Sequence, residues 1–460
     1  MARHDLLIRN GVVVTGEGMA VMDIGVKNGL IVDMASRLAE DGAADRTIDA
    51  AGLHVFPGFV DVHVHCNEPG RTEWEGLHSG SRALAAGGVT TFFDMPLNSN
   101  PPTLSGREFI AKRELAARLS IIDYGILGGL TPDNLECLDQ LAGCGAIGLK
   151  GFMSDSGIPE FAAIEGRALR AGMKRAADLG LVVMLHAESQ AMTSELTRAA
   201  IASGRLTAED YERSRPIASE LEACERAIEA ARATHATVHI VHASSAAVVE
   251  RVRRAASEGA DVSVETCPHY LSLTVEDTAR MGAIAKCSPP LRRREEVDAL
   301  WGCISRNEVD IVASDHSPSV PEMKATRPGG SIFDCWGGIS SAQTMMNVLL
   351  DEGYHGRGIP LRTIAAMASS NPAKRFGLYP TKGALAPGSD ADIVLVELDA
   401  RTELTRESLQ YRHKMSPYLG RTFRGQVTCT VVRGNIVFER GEIIESGFRG
   451  RMVEKTRPSR

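Results

Sequence analysis

The chain has 460 residues, of which 43% are apolar and 24% charged, and a formal charge of -7. That length and balance suit a soluble globular protein with a large core and an accessory domain. The acidic balance, without a long Lys/Arg run, argues against nucleic acid as a partner, and no apolar run approaches the roughly 18 residues of a membrane span. The start, Met1-Ala2-Arg3-His4-Asp5, lacks the apolar segment of a secretion signal, so a cytoplasmic location is expected. Nine cysteines between Cys66 and Cys429 form no C-x-x-C pair and read as reduced thiols. Cys267 and Cys287 lie near strand ends, yet neither has a histidine partner in sequence that would make it a nucleophile.

In chain order, short alternating runs at 6–9, 12–15, 23–27 and 30–34 are broken at Asn10-Gly11 and Asn28-Gly29, dipeptides suited to two-residue hairpins. The same punctuation returns at 392–398, 428–433 and 436–439, with Gly434-Asn435 between the last two. Residues 1–54 and 381–445 are therefore expected to build one small β-sandwich domain, since each part alone would be thin. The segment 446–460 is a basic tail with Arg449, Arg451, Lys455, Arg457 and Arg460, expected to be solvated or to cross a subunit boundary.

From 55 to 380 apolar strands alternate with amphipathic helices. The candidate strands are 55–65, 89–95, 121–127, 147–152, 181–187, 238–243, 262–266 and 309–314. Eight such units, with no dinucleotide glycine fingerprint or P-loop, predict an α/β fold, a (β/α)8 TIM-like barrel whose active site lies at the strand C-termini.

Those C-termini carry the chemistry. The first strand ends in His63 and His65, two residues apart and so on one face. The fourth places Lys150 in an apolar run. The fifth ends at His186, the sixth carries His239 and His242, and the eighth ends at Asp315. Alternation from His242 puts His239 on the other face, away from the axis. A lone histidine in a strand is more often a satisfied core residue than a ligand, but five strands delivering such groups to one rim point to a metal site. Desolvation lowers a lysine's pKa, and the neutral amine can take up carbon dioxide as a carbamate whose two oxygens bridge two cations. On that reading His63, His65 and Asp315 hold one divalent ion, His186 and His242 the other, and Lys150 lies between them. Two metals sharing a water lower its pKa enough for hydrolysis at neutral pH. The ligand types favour zinc; manganese, cobalt or iron would also fit.

These residues resemble the cyclic amidohydrolases of the amidohydrolase superfamily, which include allantoinases, hydantoinases (dihydropyrimidinases) and dihydroorotases. The segment from His63 to Arg71 is similar to the allantoinase version of the first strand, with Asn67 where dihydroorotases usually carry arginine. Similar allantoinase-like text recurs from Met95 to Thr103, from Lys286 to Arg292, from Ser314 to Pro318 and from Trp336 to Ile339. Hydantoinases carry a tyrosine five residues after the bridging lysine; here that position is Asp155. The resemblance implies ring opening of allantoin to allantoate, Asp315 as the proton-transferring catalytic residue, and a homotetramer. It also makes Asn98, Ser288 and Ser317 candidate substrate contacts. Glu265 and His269, at the seventh strand end, read as supporting hydrogen-bond partners. The rivals are a hydantoinase or dihydroorotase, separable by a substrate panel, and a non-catalytic scaffold, against which the complete ligand set speaks.

Overall fold

The computed structural model describes residues 4–16, 18–38, 44–325 and 330–455. Among these, the two chain ends form one nine-stranded sheet. Its order runs Glu442–Ile443, Asn435–Glu439, Thr422–Val432, Ile393–Glu403, His54–Pro57, Leu6–Val14, Met19–Lys27 and Leu30–Ala35, with Arg46–Asp49 beside Leu6–Val14. Ile31 and Ile436, from opposite ends of that order, share a core with Ile8, Ile24, Val55, Ile393 and Val431, so the sheet folds over on itself. Asn28 and Gly29, at φ 52° and 79°, turn the expected hairpin into Leu30–Ala35.

Asn10-Gly11, by contrast, does not turn the chain. Leu6–Val14 is a single strand with a bulge between Ile8 and Gly11. Asn10 adopts φ 60°, its N–H donates to Asp23 Oδ1 at 3.0 Å, and a Cβ on Gly11 would lie 2.4 Å from Val55 Cγ2. A bulge and a hairpin use the same positive φ, which is why the dipeptide misleads.

The expected strand 55–65 is likewise two elements. His54–Pro57 pairs antiparallel with the strand Ile393–Glu403, while Phe59–Val64 opens the barrel. Gly58 is the joint: its N–H donates to Asp392 O at 2.8 Å, and a Cβ there would lie 2.2 Å from Thr90 Oγ1. The barrel continues in parallel through Val89–Asp94, Asp123–Ile126 with Gly128–Gly129, Gly148–Phe152, Val182–His186, Val238–Ile240, Val262–Thr266 and Ile311–Val312. The third strand breaks at Leu127, its first part pairing back to the second strand and its second part forward to the fourth. Closure comes from a bridge between Val64 and His316, with His65 N–H donating to His316 O at 2.8 Å. Val60, Val62, Phe93, Leu127, Ile147, Val182, Met184, Val241 and Ile311 fill the interior with Phe376, while Leu149, Val183, Leu185, Val238 and Val264 face the helix layer. No helix among the described residues is long and apolar enough to cross a membrane.

The described part of the basic tail is not simply solvated. Gly450 N–H donates to Ser120 O (3.0 Å), Tyr124 N–H to Arg451 O (3.0 Å) and Val453 N–H to Tyr124 O (2.8 Å), so the tail runs parallel to the third barrel strand. Its anchor is electrostatic. Arg451 pairs with Asp390 at 3.0 Å, and its N–H donates to Asp123 Oδ1 at 2.8 Å. Arg457 and Arg460 lie outside the described residues.

Beside that contact, Lys382 Nζ lies 2.7 Å from Asp392, 2.5 Å from Asp123 and 2.9 Å from Asp390, all four side chains buried. Burial works against its charge, but Asp392, Asp123 and Asp390 hold its pKa above the ordinary lysine value. The lysine ties the third barrel strand to the terminal sheet. Lys382→Met would leave buried Asp392 without a cation, while Asp390 keeps Arg451 and Asp123 keeps Arg433, and should lower stability by about 3–5 kcal/mol, read as a fall in the urea midpoint. An unchanged midpoint would show that this cluster does not hold the two layers together.

Candidate metal centre and active site

The first barrel strand is irregular where it matters. Val60 and Val62 face the interior and Val64 the helix layer, with a register shift between Asp61 and Val64. The irregularity turns His63 and His65 inward together, ring centroids 5.5 Å apart. Buried Asp61 accepts from the backbone N–H of His63 (3.2 Å) and of Ser314 (3.0 Å), tying the first strand to the eighth. His242 and Asp315 follow their short strands at φ 41° and 44°, conformations that non-glycine residues adopt only where the surroundings hold them.

At the strand C-termini these side chains meet. His63 Nε2 and His65 Nε2 lie 3.3 and 3.6 Å from Asp315 Oδ1, and Lys150 Nζ lies 3.4 Å from His63 Nε2. His186 Nδ1 faces His242 Nε2 at 3.0 Å, and the His63 and His242 rings are 5.4 Å apart. The second ring nitrogens are taken up elsewhere. His63 Nδ1–H donates to Glu265 Oε1 at 2.5 Å, His65 Nδ1–H to Leu97 O at 3.1 Å and His186 Nε2–H to Glu188 Oε2 at 2.7 Å. That pattern fixes each tautomer and leaves a lone pair aimed at the centre, as in the outer partners of metal-binding histidines. His242 Nδ1 is buried without a partner.

Burial sets the charge states. It pushes His63 and His242 well below the usual histidine range, and His186 below it, so the imidazoles are neutral. Burial also lowers Lys150 to about 8, against the pull of Glu265 and Asp315. Glu265 is raised by burial, and Lys150 only partly offsets this. Glu188 is held down to about 2: burial opposes its charge, but Arg215 at 2.5 Å outweighs it. Four imidazoles, three of them held neutral by burial, a carboxylate and an amine of weakened basicity fit a divalent metal centre. His63, His65 and Asp315 form a compact group able to hold one ion.

His239 departs from the alternation argument. It faces the barrel interior beneath the centre, bonded to Ser263 Oγ at 2.7 Å and to Glu265 Oε2 at 2.9 Å, with its ring against Phe376. The ladder ends at Ile240 and His242 takes a positive φ, so the two histidines are not related by strand alternation. Glu265 therefore joins His239 to His63.

A cavity of about 500 Å³ opens over the centre, lined on its floor by His63, His65, His186, His242 and Asp315. Asn98, Ser288 and Ser317 all line it, as does Asp155. Asn98 Nδ2 donates to Asn67 Oδ1 (3.2 Å), Ser288 Oγ lies 2.5 Å from Tyr211 Oη, and Ser317 N–H donates to Ile339 O (3.0 Å). Sequence reasoning missed Tyr211 and Arg215, which enter from the insertion between the fifth and sixth strands, on and just after the helix Ala208–Ser214. The excess length of that insertion was the only signal. Cys287 also lines the cavity, but burial pushes its thiol up to about 12, against a nucleophilic role.

A model of the amidohydrolase family matches residues 54–437. The chain belongs to the amidohydrolase family. Proteins named allantoinase are similar to it: that of Deinococcus radiodurans is 48% identical, covering 98% of both chains, and that of Rubrobacter xylanophilus 48%, covering 99% of both. Among solved structures, an L-hydantoinase (dihydropyrimidinase) from Arthrobacter aurescens superposes with a TM-score of 0.93 at 32% identity, covering 96% of this chain and 97% of its own.

Within this amidohydrolase, Glu265→Gln leaves one neutral acceptor where two carboxylate oxygens hold His63 and His239, and should weaken metal affinity about 10- to 100-fold. His239→Asn should weaken it in the same direction, because it strips one partner from the same carboxylate. Competition against a chromophoric chelator reads both. If His239→Asn binds metal as tightly as the parent protein, the Glu265 link carries no positioning.

Proposed function

We propose that this chain hydrolyses a cyclic amide, opening allantoin to allantoate. Two divalent ions would be held by His63, His65 and Asp315 on one side and His186 and His242 on the other, with carboxylated Lys150 between. The observation that carries the reading is the convergence of these six buried side chains under a cavity sized for a small ring. The relatives named allantoinase, at 48% identity, favour allantoin over the hydantoins of the structural neighbour at 32%. Asp155, where hydantoinases carry tyrosine, points the same way. Zinc suits the ligand types best. Assembly as a homotetramer follows from the same resemblance.

When bound, such an ion pair supplies a nucleophile from water at neutral pH and polarises the amide carbonyl. The chain's own residues do the rest. Asp315 takes the proton of the attacking water and passes it to the ring nitrogen as the C–N bond breaks, leaving a carboxylate and a ureido group. Glu265, Glu188 and the Leu97 carbonyl hold the imidazoles so that their lone pairs face the centre. Asn98, Ser288 and Ser317 offer hydrogen bonds to the ring's carbonyl and N–H groups. Desolvation keeps a fraction of Lys150 as the free amine that reacts with carbon dioxide.

Metal analysis alongside assays on allantoin, hydantoin, dihydrouracil and dihydroorotate tests the proposal. The expected result is two divalent ions per chain and turnover of allantoin above the other three. Full activity in a metal-free preparation would refute it. Asp315→Asn should lower turnover by roughly 100- to 10,000-fold. Lys150→Ala should lose both metal and activity, with partial rescue by short carboxylic acids; full occupancy and normal turnover in that variant would place Lys150 outside the centre.

A further inference from the structure

The seventh barrel strand supplies none of the six proposed ligands, yet it ends between the sixth and eighth, which do. Just past its end stand Cys267 and His269. One ligand atom from each lies within 4.8 Å of the other and of an Asp315 carboxylate oxygen, and all three residues are buried. His269 is not the supporting hydrogen-bond partner its sequence position suggests: it is fully enclosed, and neither ring nitrogen has a hydrogen-bond partner. The hydroxyl of its neighbour Tyr270 is directed instead at Pro289 O, to which it donates at 2.6 Å. A neutral imidazole offers one donor and one acceptor, and a native fold rarely buries both unused.

We propose that Cys267, His269 and Asp315 form a third, inhibitory cation site selective for thiophilic ions such as zinc in excess or cadmium. Donors on a tetrahedral ion sit about 3.3–3.8 Å apart, so closing the trio needs movements of only about 1 Å. The thiol selects soft cations over magnesium or manganese. On binding, the ion replaces the Cys267 thiol proton, which passes to solvent, and a new bond forms to the His269 lone pair. Asp315 has two oxygens, so it can face His63 and His65 while also binding this ion. An Asp315 carboxylate held by the additional ion no longer accepts the proton of the attacking water, and turnover stops. Only this last step rests on the hydrolytic role of Asp315; the site itself does not.

The test titrates cadmium into holoenzyme already carrying its two ions, following metal stoichiometry, the ultraviolet thiolate-to-cadmium charge-transfer band and turnover. A third equivalent, the band and loss of turnover should arrive together. Cys267→Ser and His269→Gln should keep two ions and basal turnover, lose the third equivalent and resist cadmium. The band separates this event from exchange at the two-ion centre, whose proposed ligands include no sulfur. No third equivalent on the parent protein, or a band that survives Cys267→Ser, overturns the proposal. Should the cysteine variant fail to fold, the stoichiometry of His269→Gln decides the matter: a retained third equivalent refutes the site. A third equivalent with the band but undiminished turnover would keep the site and refute its inhibitory action. Fewer than two ions in the starting holoenzyme would count against the two-ion reading alone, because the band reports Cys267 independently.

Discussion

Burying four imidazoles, an amine and a carboxylate at the mouth of the barrel is the constraint on which the rest of the site depends. Charged groups taken from water into such surroundings are strongly destabilised unless paired. Here the difficulty is met by neutralising rather than by pairing. Burial drives His63, His186 and His242 to their neutral forms, and the ring N–H groups of His63, His65 and His186 are taken by Glu265, Leu97 and Glu188. What faces the centre is then a set of lone pairs. The same desolvation that makes the site awkward to fold makes it ready for a cation.

Glu265 carries more of this than its place in the chain suggests. One oxygen holds His63 and accepts from the His242 backbone N–H at 3.3 Å, and the other holds His239. The first, sixth and seventh strands are thereby fixed to one carboxylate. Asp61 does the equivalent for the first and eighth strands through the N–H groups of His63 and Ser314. Side chains on separate strands keep a common geometry because outer carboxylates lock the strands to one another, which is how metal sites are made precise.

The substrate side is built differently. Its lining comes from the long insertion after the fifth strand and from the segment around Trp336, both laid over a rigid barrel. Arg215 connects the two levels, since it lines the cavity and also holds Glu188, which in turn holds His186. The cavity wall can thus change by altering loops while the floor of histidines and Asp315 stays fixed, the usual division of labour in this barrel.

The sequence by itself determined the barrel, the sheet made from both chain ends and the rim of His63, His65, Lys150, His186, His242 and Asp315. Strand periodicity and ligand type are local properties, readable without coordinates. It could not determine how the chain departs from periodicity. Gly58 splits one apolar run between two layers because Thr90 and Asp392 crowd it, and Asn10-Gly11 bulges rather than turns because Asp23 and Val55 are there. His239 faces inward to Glu265 because the sixth strand ends at Ile240. Arg451 docks because buried Asp390, far away in sequence, pairs with its guanidinium and Asp123 accepts from its backbone N–H. Tyr211 and Arg215 reach the cavity only because a helical insertion folds back over the barrel. Each of these was decided by groups distant in the chain meeting in a crowded interior, where packing and the pairing of buried charge override local pattern.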